Sequence, residues 1–301
     1  MERLSFDLAI RELTGLDGWL ASLGVDVKKD RWHDAELMLR RAKEQRRELD
    51  RGAPFQPIPN YVAGLFELLE VLKVFRAFSD QSSPVLGEKV SRALCGPISP
   101  MEESPRNNEA RNAMFELVLA ANWKNGGAIV ELGEPDIRIV IGGTSFLVEC
   151  KRPFSSKGVR RNIEDAAGQL RKALNEPPQA SSYGLIAVSL SRIFNPGNVM
   201  CRAPENMGGV AVQGALVRMI QEHKYEWKWD TAKFHERIAA VMFHLAVPWE
   251  IDGERLIYLE TAKVFDQAKC PSGFRVFKEN DPLFGDQALL GPLRRLMSEA
   301  T

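Results

Sequence analysis

The sequence predicts a mixed α/β domain preceded by an all-helical region, and three observations carry this. Residues 1 to about 96 place apolar side chains at spacings of three and four, the helical period. From about residue 128 short apolar runs alternate in and out with a period of two, as strands do. Between the two patterns, "CGPISPMEESPRNN" has three prolines and reads as a linker.

In chain order, Phe6, Leu8, Ile10, Leu13 and Leu16 begin the apolar face of a first helix, continued by Leu20 and Leu23 past Gly15 and Gly18. Ala35, Met38, Ala42, Gln45 and Leu49 mark a second, ended by Gly52 and Pro54. "NYVAGLFELLEVLKVFRAF" is a third, with Asn60 as its expected cap, and a shorter helix follows Pro84. Glu67, Glu70, Lys73 and Arg76 interrupt the third, marking a core helix and not a membrane span. After the linker come a helix in "NEARNAMFELVLAANWKNG", a strand in "AIVEL", two strands in "PDIRIVIGGTSFLVECKRP", a helix in "RRNIEDAAGQLRKALNE" and a central strand in "SYGLIAVSLSRI". A helix near 210–223 and strands in "IAAVMFHLAVPWEI" and "RLIYLETAKVF" follow. "YEWKWD" reads as a strand burying one aromatic face. The expected domains are a helical region over 1–103, an α/β domain over 104–265, and a tail over 266–301 ending in a short helix.

Composition narrows the function. Lys+Arg and Asp+Glu each total 40, so a general polyanion-coating protein is excluded and a nucleic-acid binder would need a local basic patch. Cys95, Cys150, Cys201 and Cys270 form no CxxC pair, which excludes a zinc ribbon and a disulfide scaffold and suits a reducing cytoplasm. The first residues carry early acids and no long apolar run, so no signal peptide and no membrane partner are expected. There is no GxxxxGK[ST], hence no P-loop ATPase.

"PDIRIVIGGTSFLVECKRP" is the informative stretch. Gly142-Gly143 suits a two-residue hairpin turn, which pairs Ile141 with Thr144. Counting outward, Val140 faces Ser145, Ile139 faces Phe146, Arg138 faces Leu147, Ile137 faces Val148 and Asp136 faces Glu149. Ile137, Ile139, Ile141, Phe146, Val148 and Cys150 then share a core face. Asp136, Arg138, Glu149 and Lys151 share the other, with opposed β-carbons about 5 Å apart. Two opposed carboxylates repel, and a hard divalent cation such as Mg²⁺ would resolve this. Lys151 points at the same spot, placed to orient a water or neutralise charge on a transition state. Glu134 pairs with Lys151 in this register, as a tether for the lysine or an aid to the metal.

At these residues the sequence resembles the PD-(D/E)XK nuclease superfamily, whose motif stands here as Pro135-Asp136 and Glu149-Cys150-Lys151. The order helix, three strands, helix, strand also matches the superfamily core, over about residues 108–192. The resemblance implies a restriction-endonuclease-like core with a helical domain in front of it. It implies a Mg²⁺- or Mn²⁺-dependent nuclease, with Asp136 and Glu149 as metal ligands, the Cys150 carbonyl as a main-chain ligand and Lys151 at the attacking water. Glu116 stands where members carry a helix acid that holds a metal water or second ion; an ordinary helix glutamate is the competing reading. Gln169 fits a glutamine that positions substrate in some branches, but Ala173 stands where the following tyrosine would be. That departure weakens assignment to the RecB-like or lambda-exonuclease-like branch, and a helix-surface amide is the equal alternative for Gln169.

Arg152, Lys157, Arg160 and Arg161 follow the motif, with Arg171 and Lys172 on the next helix, as a patch for backbone phosphates. A solvated charge run is the alternative. The expected substrate is DNA, with RNA open. The expected assembly is a homodimer, since one such site cuts one strand, and the setting is restriction, repair or anti-phage defence by analogy. Two other functions stay open: a silent nucleic-acid-binding module of the same fold, and a helical interaction protein whose first hundred residues bind a partner and restrain the nuclease.

Overall fold

Four helices open the chain: α1 (Phe6–Ser22), α2 (Asp30–Leu49), α3 (Tyr61–Phe78) and α4 (Pro84–Leu94). The structure is a computed structural model that describes residues 6–26, 30–49, 51, 60–141, 143–177, 182–197, 201–202, 208–230, 234–251 and 255–266. The expected C-terminal helix, Gly52, Pro54, Gly142 and Cys270 lie outside these residues. Leu13, Leu16 and Leu20 of α1, Ala35, Leu39 and Ala42 of α2, and Leu68, Val71 and Leu72 of α3 are buried at helical spacing, as their periodicity dictates. α4 starts where the Ser83 hydroxyl accepts from Leu86 N at 3.1 Å, with Pro84 at the first helical position. Asn60 flanks α3 as expected but does not cap it. Its backbone is left-handed (φ 56°), and a capping side chain needs extended backbone to fold over the first turn.

The stretch from 95 to 108 is more than a tether. Gly96, at φ +84°, reverses the chain after α4. Ile98, Ser99, Pro100 and Glu103 are buried, and a 3-10 turn spans Pro100–Glu102.

The sheet follows, with α5 (Glu109–Asn125), β1 (Ile129–Leu132), β2 (Ile137–Ile141), β3 (Thr144–Lys151), α6 (Val159–Asn175), β4 (Tyr183–Ser189), α7 (Ser191–Phe194), β5 (Cys201–Arg202), α8 (Gly208–His223), β6 (Ile238–Ile251) and β7 (Arg255–Asp266). The strands run in the order β1-β2-β3-β4-β6-β5, with β7 also paired to β6. β1-β2 and β2-β3 are antiparallel, β3-β4 and β4-β6 are parallel, and β6-β7 is antiparallel. The molecule is therefore a mixed α/β fold on a mixed sheet, with β4 in its interior. α6 and α8 make the crossovers that parallel neighbours require.

Alternation sorts the core into two layers. Ile137, Ile139, Ile141, Phe146, Val148, Cys150, Leu185, Ala187, Ala240 and Met242 pack with α5 and the first four helices. Leu147, Ile186, Val188, Val241 and Phe243 pack with α6, α8, Trp227 and Trp229 on the opposite face. "YEWKWD" corrects its expectation: it follows α8 as turn and coil, not a strand. Trp227 and Trp229 are buried by tertiary packing, and Tyr225 stands 80% exposed. Among the described residues no helix is long and apolar enough to cross a membrane.

Candidate active site

The hairpin forms in the register that the glycine pair dictates: Ile137 opposes Val148, Arg138 Leu147, Ile139 Phe146, Val140 Ser145 and Ile141 Thr144. Gly143 takes φ +85°, the left-handed region that a side chain disfavours. Asp136 lies just before β2, in a bend rather than on the ladder. Its Oδ2 accepts from the Cys150 backbone N–H at 2.8 Å, which fixes the carboxylate beside the end of β3.

Glu149 sits near the end of β3, almost fully buried. Burial, then the charge of Asp136, pushes its carboxyl up to about 7, against the opposing pull of Lys151. Lys151 Nζ donates to Glu149 Oε2 at 3.1 Å. Glu116, on α5, is likewise raised, by burial first and Asp136 second. Its partner is Lys89 of α4, whose Nζ donates to Oε2 at 2.5 Å. The Cys150 thiol is pushed well above its ordinary range by burial and then by Asp136, Glu116 and Glu149. Asp136 thus acts on both Glu149 and Glu116, each of which is paired with its own lysine, Lys151 and Lys89. Asp136, Glu149, Lys151 and Glu116 are the expected members brought together.

Other expected members lie elsewhere. Gln169 is exposed on α6. Lys151 binds Glu149 and not Glu134, which is exposed and acts on Glu149 only through its charge. Arg152 is largely buried, and its Nη1 donates at 2.8 Å to Glu103, a buried acid 49 residues away. Lys157, Arg160, Arg161, Arg171 and Lys172 are exposed on or beside α6. Arg160 pairs with Glu164 at 2.9 Å and Arg161 lies 3.6 Å from Asp165, both one helical turn on. The basic loop is fastened to the end of α8. Ser156 Oγ donates to Glu226 at 2.9 Å, and Trp227 Nε1 donates to the Ser156 carbonyl at 3.1 Å. The His223 ring stacks on Trp227 at 4.8 Å, so this histidine braces a loop.

Lys89 escaped the sequence reading although a signal was present. Leu86, Val90, Ala93 and Leu94 bury one face of α4, and Lys89 falls within that stripe. A lysine at an apolar helical position announces a buried anionic partner.

Among the described residues no group of three or more His, Cys, Asp or Glu side chains is placed to hold a metal ion. Each acid is turned to its own partner: Asp136 to the Cys150 N–H, Glu149 to Lys151 and Glu116 to Lys89. The donor chemistry still fits a hard divalent cation, because the charge of Asp136 raises the carboxyls of both Glu149 and Glu116, and a cation beside it would offset that. No family model matches this chain, and neither a curated protein nor a solved structure matches it.

Proposed function

We propose that this protein is a Mg²⁺- or Mn²⁺-dependent nuclease of the PD-(D/E)XK type, with a restriction-endonuclease-like core, that hydrolyses phosphodiester bonds of DNA. The observation that carries the reading is Asp136, held by the Cys150 N–H at the end of β3, with its charge acting on both Glu149, which is paired with Lys151, and Glu116. Asp136 and Glu149 would hold the ion with the Cys150 carbonyl, and Glu116 would hold one of its waters. When bound, the ion supplies a Lewis acid for the phosphate and a lowered pKa for water. Asp136 is held at the β3 end by the Cys150 N–H. Lys151, paired with Glu149, would be placed to orient the attacking water or to neutralise the developing phosphate charge. Lys157, Arg160, Arg161, Arg171 and Lys172 form the exposed phosphate-facing stripe. A cytoplasmic setting suits the thiols of Cys95, Cys150 and Cys201, and a homodimer would supply the second cut of a duplex.

The test is cleavage of plasmid and linear DNA, and of RNA, with Mg²⁺, Mn²⁺ or chelator. Asp136→Ala and Lys151→Ala are expected to lose at least about a hundredfold in rate, the scale on which a positioned catalytic group acts. Equal cutting by wild type and both variants sinks the reading. A second reading has its own support: Lys151 and Lys89 already neutralise Glu149 and Glu116. The protein would then be a silent nucleic-acid-binding module, shown by DNA binding without cleavage in any metal.

A further inference from the structure

A second charged cluster lies at the same end of the sheet. The Glu103 carboxylate meets three guanidinium groups. Arg111 reaches it through Nε, Arg152 through Nη1 at 2.8 Å and Nη2 at 3.4 Å, and Arg192 through Nε at 3.8 Å. Arg192 also lies over the Phe154 ring at 4.6 Å. Arg111 continues to Glu67 at 3.5 Å, which pairs with Arg31 at 2.8 Å. Arg31, Arg111, Arg152 and Arg192 face Glu67, Glu103 and Glu70, and Glu70 is raised by burial and by Glu67. The buried cluster is therefore richer in cation than in anion.

Placement gives this excess a meaning. Arg152 directly follows Lys151, and α7, with Arg192, follows β4. β3 and β4 are parallel neighbours with Lys151 opposite Val188, so both arginines leave the sheet beside the candidate active site. Arg111 precedes Glu116 on α5 by about one and a half helical turns. Glu103 belongs to irregular backbone, after the Pro100–Glu102 turn whose Met101 is 68% exposed, whereas Arg111 and Arg192 lie on helices and Arg152 directly follows β3. Planar guanidinium forks converging from several elements suit a phosphate better than one carboxylate.

We propose that Arg111, Arg152 and Arg192 form a phosphate-binding subsite for the substrate strand, and that Glu103 fills it as a tethered anion which an incoming phosphate displaces. The ligand's identity rests on the nuclease reading; the cage does not. Binding is measured by calorimetry in chelator, so that cleavage plays no part. The probes are inorganic phosphate, a 5′-phosphorylated oligonucleotide and its 5′-hydroxyl counterpart. Glu103→Gln is expected to bind the phosphorylated strand at least about tenfold more tightly than wild type, the worth of one charge-assisted hydrogen bond. Adding Arg192→Gln is expected to abolish that gain. A gain shared by inorganic phosphate assigns the subsite to a terminal phosphate, and a gain equal for both oligonucleotides assigns it to the strand backbone. Wild-type affinity for all three probes in a folded Glu103→Gln protein overturns the proposal. Should that variant fail to fold, hydrogen exchange in the wild type decides. Faster exchange across 98–104 on adding the phosphorylated strand supports displacement, and unchanged exchange overturns it. Tighter binding without cleavage in any metal would leave the subsite standing and remove the nuclease reading.

Discussion

Glu149 is where fold and chemistry pull apart. Its carboxyl is raised from an ordinary 4.5 to about 7, so the folded state holds its proton over that range while the unfolded chain releases it. A raised carboxyl makes stability fall as pH rises: its contribution is intact below about 4.5 and is lost as pH climbs through 7. In chelator this one group is expected to cost roughly 3 kcal/mol between pH 5 and pH 8. Glu149→Gln keeps the neutral form at every pH. It is expected to match wild type near pH 5 and exceed it at pH 8 in urea unfolding; an equal difference at both pH values would contradict the assignment. Asp136 and Glu149 were legible because strand period and a glycine turn are local rules. Arg152 was not, because its partner Glu103 lies 49 residues away and no nearby residue announces it.

At the scale of elements, the hairpin and α4 show opposite limits of local reading. The β2-β3 register followed from two glycines and an isoleucine alternation. α4 was expected as a helix after Pro84, but its role in holding Glu116 through Lys89 depends on where it packs. That packing passes through Gly87, where an added β-carbon would stand 2.6 Å from the Leu23 carbonyl oxygen. Backbone cannot yield as a flexible side chain can, so Gly87→Ala must shift α4. The expected cost is about 1–3 kcal/mol, read from chemical denaturation. Since Lys89 moves with the helix, the proposed cleavage should fall further than the stability loss alone explains. A variant of unchanged stability would show that α4 has room to move.

Across the whole molecule, the helical and α/β classes were visible as two periodicities, yet the boundary expected at 103/104 does not divide the packing. One apolar cluster runs from Leu13, Leu16 and Trp32 through Leu72 and Phe78 to Leu117, Ile139, Val148 and Met242. Contacts between distant segments leave no mark in a local pattern, so this continuity could not be read from sequence. The Glu103 and Glu67 ion pairs cross the same boundary, and breaking a buried pair costs about 3–5 kcal/mol. The N-terminal helices are thus part of the fold that holds the candidate site. Unfolding is expected as one cooperative transition, with helix circular dichroism and tryptophan fluorescence changing together. Trp19 and Trp32 report on the first helices, and Trp227 and Trp229 on the opposite face of the sheet. A chain starting at residue 104 would expose the apolar faces of α5 and the sheet that α1 to α4 cover. It is expected to bind a hydrophobic dye and lose its sharp transition; a sharply melting, dye-free fragment would instead establish 104–301 as an independent domain.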